Sequence, residues 1–252
     1  MTHIPLDHET NFFKACQHGS VLQINLKEFQ ANWIIKIDDL CDYLSFLDLV
    51  TIHEDVKVVL LFHQLGKTFE NINYFKIVDS LKQKQISVDV LQKFFEIMDK
   101  YILFIVKSDK FFVDVHAGNM ILDFFMMSFA CDYRILADNT ILKNLCVPMG
   151  IIPKGTCVFL MRKIFNTTAY SLLLTNTHHK AYDLLRSGLV NQVVEYNKLE
   201  NKALEVAKDF AARPSASLTA VKQIMNNSFN QLNDSLQIED KQILRIARQW
   251  QN

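Results

Sequence analysis

The 252-residue chain is short of the residues that cut a polypeptide into pieces: it has six glycines and four prolines, and no low-complexity tract or internal repeat. Nothing marks an internal linker, so one main domain is expected. A surplus of either charge is also missing. Lysine plus arginine and aspartate plus glutamate stand at 27 each, which removes the electrostatic argument for nucleic acid or an anionic membrane as a partner. The five cysteines, Cys16, Cys41, Cys131, Cys146 and Cys157, are odd in number and lack paired ligand spacing. Reduced thiols in a cytoplasmic protein are expected rather than a disulfide framework. No spacing supports a metal site, and no cofactor is expected. Lys107, Asp109, Lys110, Asp114, Asp123 and Asp132 break up the most apolar part of the chain, so no run reaches the ~18 residues of a membrane span. The opening MTHIPLDHETNFF has no basic region followed by an apolar run, and no signal peptide is expected.

What is present is a large apolar fraction, 50% of the residues, enough for a full core. Before Thr140 the apolar runs are short and β-branched: Ser20–Leu26, Asn32–Ile37, Val56–Phe62, Phe111–Ala117 and Cys131–Leu136. These predict buried strands. Helical spacing over Asp38–Leu49, Asp89–Ile105 and Met120–Ala130 separates them, the alternation of an α/β domain with a largely parallel sheet. Beyond Pro153 the pattern turns helical, with Gly188 suited to a helix end and Pro214 to a helix start. The expected division is an α/β core over residues 1–190 and a helical region over 191–252.

The order and spacing of several phrases resemble the crotonase (enoyl-CoA hydratase/isomerase) superfamily. They are VKVVLLFHQLGKTF, the strand ending at Gly118, FACDYRILADNT, MGIIPKGT, AYSLLLTNTHHKAYDLLRSGLVNQVV and ARPSASLTAVKQIMN. The first fifty or so residues match poorly. The resemblance implies repeated ββα units with a C-terminal helical region, and an acyl-CoA or acyl-carrier-protein thioester as ligand or substrate. It also implies a homotrimer or dimer of trimers packed partly through the C-terminal helices. In that family two backbone N–H groups stabilise the anion that develops on the thioester, because donors fixed in advance lower the barrier most. Hydratases add two glutamates that handle the water and the proton.

Laid on the family pattern, the segment from Val113 to Asp132 puts one oxyanion donor on the backbone N–H of Asp123, where glycines would leave open space. Asp123 and Phe124 side chains crowd that space. Asp123 also sits where a helix should begin, a position that favours a carboxylate. The two hydratase glutamates fall on Met126, which cannot move a proton, and on Cys146, a thiol with no evident activating cation. The other donor falls near Asn73, with Ile72 in place of a glycine and Tyr74 in place of an aspartate. His63 and His116, at strand ends, could face the pocket; packing or hydrogen-bonding roles are expected of both. His178 and His179 fall in a helix connection facing water. Asp132 and Arg134 read as structural electrostatics.

The leading expectation is therefore a crotonase-fold protein without glutamate-dependent hydration, serving acyl-CoA binding or assembly. The alternative is an isomerase-, decarboxylase- or hydrolase-type enzyme in which Asp123, His116 or Cys146 has taken an acid/base role. A third is a structural partner of an active paralogue in a mixed trimer.

Overall fold

The computed structural model describes residues 6–27, 34, 36–63, 79–80, 82–155, 172–175, 178–227 and 231–251. A seven-stranded sheet carries the fold, in the order β1 (His8–Glu9), β2 (Phe13–His18), β3 (Val21–Leu26), β4 (Val58–His63), β5 (Phe111–His116), β7 (Tyr133–Ala137) and β10 (Gln192–Val194). The first three strands form an antiparallel meander, and from β3 onward every pairing is parallel. A smaller sheet joins β6 (Asn119–Ile121), β8 (Ile141–Lys143) and β9 (His178–Lys180). This α/β architecture is the one the apolar alternation predicts.

Strand β4 reads VVLLFH with its first five residues buried, as a central parallel strand covered on both faces must be. Its alternate residues serve two cores. Val59 and Leu61 join the larger one, with Phe112 of β5 and helices α1 (Ile37–Thr51) and α2 (Val88–Lys107). Val58, Leu60 and Phe62 join the smaller one, which Leu199, Ala203, Ala207 and Ala211 of α6 (Leu199–Ala211) cover. The division drawn in the sequence at residue 190 falls just ahead of β10, which completes the sheet, and of α6, which covers it.

Local chemistry accounts for the element ends. Ser87 caps α2 by accepting from Val90 N at 3.3 Å, with Asp89 in the first turn and Lys107 in the last. Within the run Asn32–Ile37, expected as a strand, Ile37 instead opens α1, whose first turn carries Asp38 and Asp39; Asn32, Trp33 and Ile35 lie outside the described residues. His178 and His179 lie in β9 rather than in a helix connection. Gly118 takes φ +72° where the chain leaves β5 and turns into β6, a conformation that side chains disfavour.

The remaining helices are α3 (Leu122–Met127), α4 (Cys146–Met149), α5 (Ala181–Arg186), α7 (Ser215–Asn226) and α8 (Leu232–Gln251). Helix α3 continues into a 3-10 turn over Ser128–Ala130. Helix α8 packs on α2, burying Leu236, Ile243, Leu244 and Ala247.

Candidate active site

The turn at Gly118 delivers α3 to the mouth of the large core, and α3 brings the altered family positions with it. Every residue of α3 is buried. Met126 is 0% exposed and belongs to that core. A thioether there has no proton to give and no lone pair basic enough to take one.

Asp123 occupies the first turn of α3, whose N-cap is Ile121 and has no side-chain cap. The carboxylate therefore starts the helix without capping it, and spans to two other elements. Its Oδ1 accepts from the backbone N–H of Lys154 at 3.0 Å, and its Oδ2 accepts from the Cys146 thiol at 3.0 Å. Cys146 opens α4 and is 0% exposed. Its own N–H donates to Asn144 Oδ1 at 3.1 Å, and Asn144 Nδ2 donates to the carbonyls of Leu172 and Leu173, both at 2.9 Å. Two positions that resemblance assigns to oxyanion stabilisation and proton transfer are thus bonded to each other. Asn73, Ile72 and Tyr74 lie outside the described residues.

Beneath α3, His63, Tyr101, Asp114, Phe124, Met127, Ser128 and Cys131 close around a crevice with no room for a water molecule. Phe124 is buried in this packing. The polar floor of the crevice comes from two strand ends. His63 and His116 are register partners on β4 and β5, and Asp114 lies two residues before His116, so all three project to the same face. Asp114 Oδ1 stands 2.6 Å from His63 Nε2, and Oδ2 stands 2.8 Å from His116 Nε2. The first contact is a hydrogen bond; the second is short but falls outside hydrogen-bond geometry. The two imidazoles stack in parallel, 4.1 Å between centroids and 3° between planes. Burial alone would raise the Asp114 carboxyl, but the charges of His116 and then His63 hold it below the ordinary carboxylate range. Burial first and His116 second push His63 down, against the pull of Asp114. Burial first and the Asp114 charge second push the Cys131 thiol well above its usual range.

Sequence spacing gives no hint of this group, because His63 and Asp114 are 51 residues apart. The alternation Asp114-x-His116 on a buried strand, beside a neighbouring strand ending in His63, is the signal that could have revealed it. A second group escaped notice too. Lys154 is buried and reaches Asp99 on α2 at 2.6 Å and Asp240 on α8, while Gly155 N donates to Glu239 Oε2. Arg134 donates to the carbonyls of Leu189 and Cys131 and lies over the Phe129 ring. Asp132 accepts from Phe112 N and pairs with buried Lys222 at 3.0 Å. Both side chains hold separate segments of the core together.

The model of the enoyl-CoA hydratase/isomerase family matches residues 92–248. The chain is 34% identical over 101 residues to the short-chain-enoyl-CoA hydratase of Clostridium acetobutylicum, covering 40% of this chain and 39% of that protein. It is 29% identical over 101 residues to the carnitinyl-CoA dehydratase of Shigella flexneri, with the same 40% and 39% coverage. These matches thus span about two fifths of the curated relatives' length. In structure it is similar to an enoyl-CoA hydratase from Bacillus halodurans, with a TM-score of 0.77, 19% identity, and 94% and 95% of the two chains covered. An enoyl-CoA hydratase from Bacillus anthracis superposes with a TM-score of 0.74 at 20% identity, over 95% of this chain and 90% of that one. A fold shared over nearly the whole chain and a family pattern running from α2 into α8 agree: this chain belongs to the enoyl-CoA hydratase/isomerase family, the crotonase superfamily.

Proposed function

We propose that this chain is a non-hydratase member of its family, an acyl-thioester-binding or assembly subunit that does not add water to an enoyl-CoA. The observation that carries this reading is the contact between Asp123 and Cys146, 3.0 Å long and buried, beside a fully buried Met126. Hydration needs one group to activate water and another to deliver a proton. The two positions that would hold them are a thioether in the core and a thiol already donating to a carboxylate. That carboxylate also brings negative charge to the helix start where a thioester oxyanion would have to develop.

Assembly is supported by an apolar face on α7, where Val221, Ile224 and Met225 are 60%, 74% and 67% exposed. Ile238 of α8 is exposed as well. Contiguous exposed apolar side chains on a helix mark an interaction surface. The reading here is a trimer-based homo-oligomer, and light scattering at micromolar concentration should give a multiple of the 29.3 kDa chain mass. A monomeric mass would count against assembly.

A second reading has one observation in its favour: the Cys146 thiol touches a carboxylate that can accept its proton, although negative charge beside a thiol disfavours the thiolate. The burial of both side chains opposes it, since a nucleophile must reach its substrate. Calorimetric titration with short and long acyl-CoA esters, run beside product analysis, separates the readings. Binding without turnover supports the proposal. Thioester cleavage or isomerisation that disappears in Cys146→Ala supports the second reading instead.

A further inference from the structure

We propose that His63, Asp114 and His116 form a site for one divalent transition-metal ion of the zinc class, enclosed between the ends of β4 and β5. Each residue offers one ligand atom, and the three atoms lie within 4.8 Å of one another. All three side chains are buried, at 8%, 2% and 5% exposure. The sheet itself sets the arrangement: register pairs the two histidines, and strand alternation puts Asp114 on their face.

The geometry favours a shared third partner over a simple chain of hydrogen bonds. His116 Nε2 and Asp114 Oδ2 are 2.8 Å apart, yet they are not aligned for a hydrogen bond, and both atoms are buried without a hydrogen-bond partner among the described residues. Buried polar atoms left in that state are costly and rare. An ion that accepts a lone pair from each satisfies both. Both Nε2 atoms stand against the two oxygens of one carboxylate. Because the rings lie parallel and each lone pair lies in its ring plane, one imidazole turns about its side-chain bonds when both nitrogens meet a single ion. Ligand atoms of a tetrahedral site with bonds of about 2.0 Å lie roughly 3.3 Å apart, so the ion also parts these contacts by roughly 0.5–0.7 Å.

The donor set selects the kind of ion. Imidazole with a carboxylate suits zinc, iron, cobalt or nickel, whereas magnesium and calcium demand six or more oxygens and usually keep water. The crevice around His63 and Asp114 has no room for water. A closed, low-coordination site is what remains, and a buried site of this kind takes its ion as the strands come together, so that metal binding is linked to folding. Its role is structural, pinning the two strand ends beneath α3.

The test starts from full-length protein produced in zinc-supplemented medium, and from the same protein refolded with Co2+. Elemental analysis after gel filtration should give one zinc per chain, resistant to EDTA under native conditions and released on unfolding. The cobalt form should show the visible absorption of a low-coordinate ion. Loss of a partner that only hydrogen-bonds to a metal ligand weakens metal sites by about 10–100-fold, so His116→Gln and Asp114→Asn, which remove ligands, should each lose at least roughly tenfold in affinity. The pair His178→Gln and His179→Gln, on β9, should change nothing. Should the crevice variants not fold, zinc-edge X-ray absorption of the wild type decides, with two imidazoles bound directly to the ion expected. Three results would each overturn the proposal: no metal beyond a trace by either route, retention by the His116 and Asp114 variants, or fewer than two imidazoles on the bound ion. A metal-free crevice would mean that a proton, rather than an ion, joins these three side chains.

Discussion

The Asp123 carboxylate ties the start of α3 to the backbone of Lys154 and the thiol of Cys146, 31 and 23 residues away along the chain. A buried N–H left without an acceptor costs about 1–3 kcal/mol. Asp123→Ala should therefore destabilise by about 1–3 kcal/mol in urea unfolding, while Asp123→Asn, whose amide oxygen can still accept from Lys154, should cost less. Asp123→Gly also clears the carboxylate from the helix start where the family pattern puts an oxyanion donor, and tighter acyl-CoA binding by this variant in calorimetry is the expected outcome. Met126 and Cys146 were correctly placed in the core by their chemistry alone. Writing glutamate back at either position buries a charge where the exposure is 0%, and should cost about 3 kcal/mol or more rather than restore hydration. Thermal melts of Met126→Glu and Cys146→Glu check this.

Helix α2, helix α8 and the loop at Lys154 form one electrostatic unit. A single buried ammonium faces Asp99 at 2.6 Å, Asp240, and Glu239 at 4.0 Å. Burial, opposed by the Lys154 charge and helped by Asp240, pushes the Asp99 carboxyl up from 3.8 to about 6. Between those values the native state holds a proton that the unfolded chain has released. The stabilisation from Asp99 is thus complete below about 4 and is lost as the pH rises through about 6. Asp99→Asn removes this dependence. Its stability relative to wild type should rise between pH 4 and pH 6.5, read from urea midpoints, and a flat difference would contradict the assignment. The helices themselves were legible from apolar spacing. The ion cluster was not, because its members come from three distant segments and no local pattern announces it. The short strands β6, β8, β9 and β10 were missed for a related reason: at three residues each, they are too brief to show alternation.

Across the whole molecule, the parallel sheet sets what the chain can do. It aligns the ends of β4 and β5, and so fixes the histidine–aspartate group, while the turn at Gly118 swings α3 over that group. Deleting residues 234–252 removes most of α8, which covers α2 and carries Glu239 and Asp240, two of the partners of Lys154. The truncated protein should lose cooperative folding, and near-UV circular dichroism should show the loss of fixed aromatic packing. The parallel α/β core and the family were legible from the order of phrases, because those phrases encode strand and turn geometry shared across the fold. The contacts of Asp123 and Lys154 run between distant segments, and only the folded chain shows them. The most direct test of the proposed non-hydratase role is a hydration assay with trans-2-butenoyl-CoA and the purified protein at high concentration, following loss of the conjugated thioester absorbance. Consumption no faster than the protein-free control is the predicted result. Turnover with a kcat of about 1 s⁻¹ or more, within the ordinary enzymatic range, would contradict it.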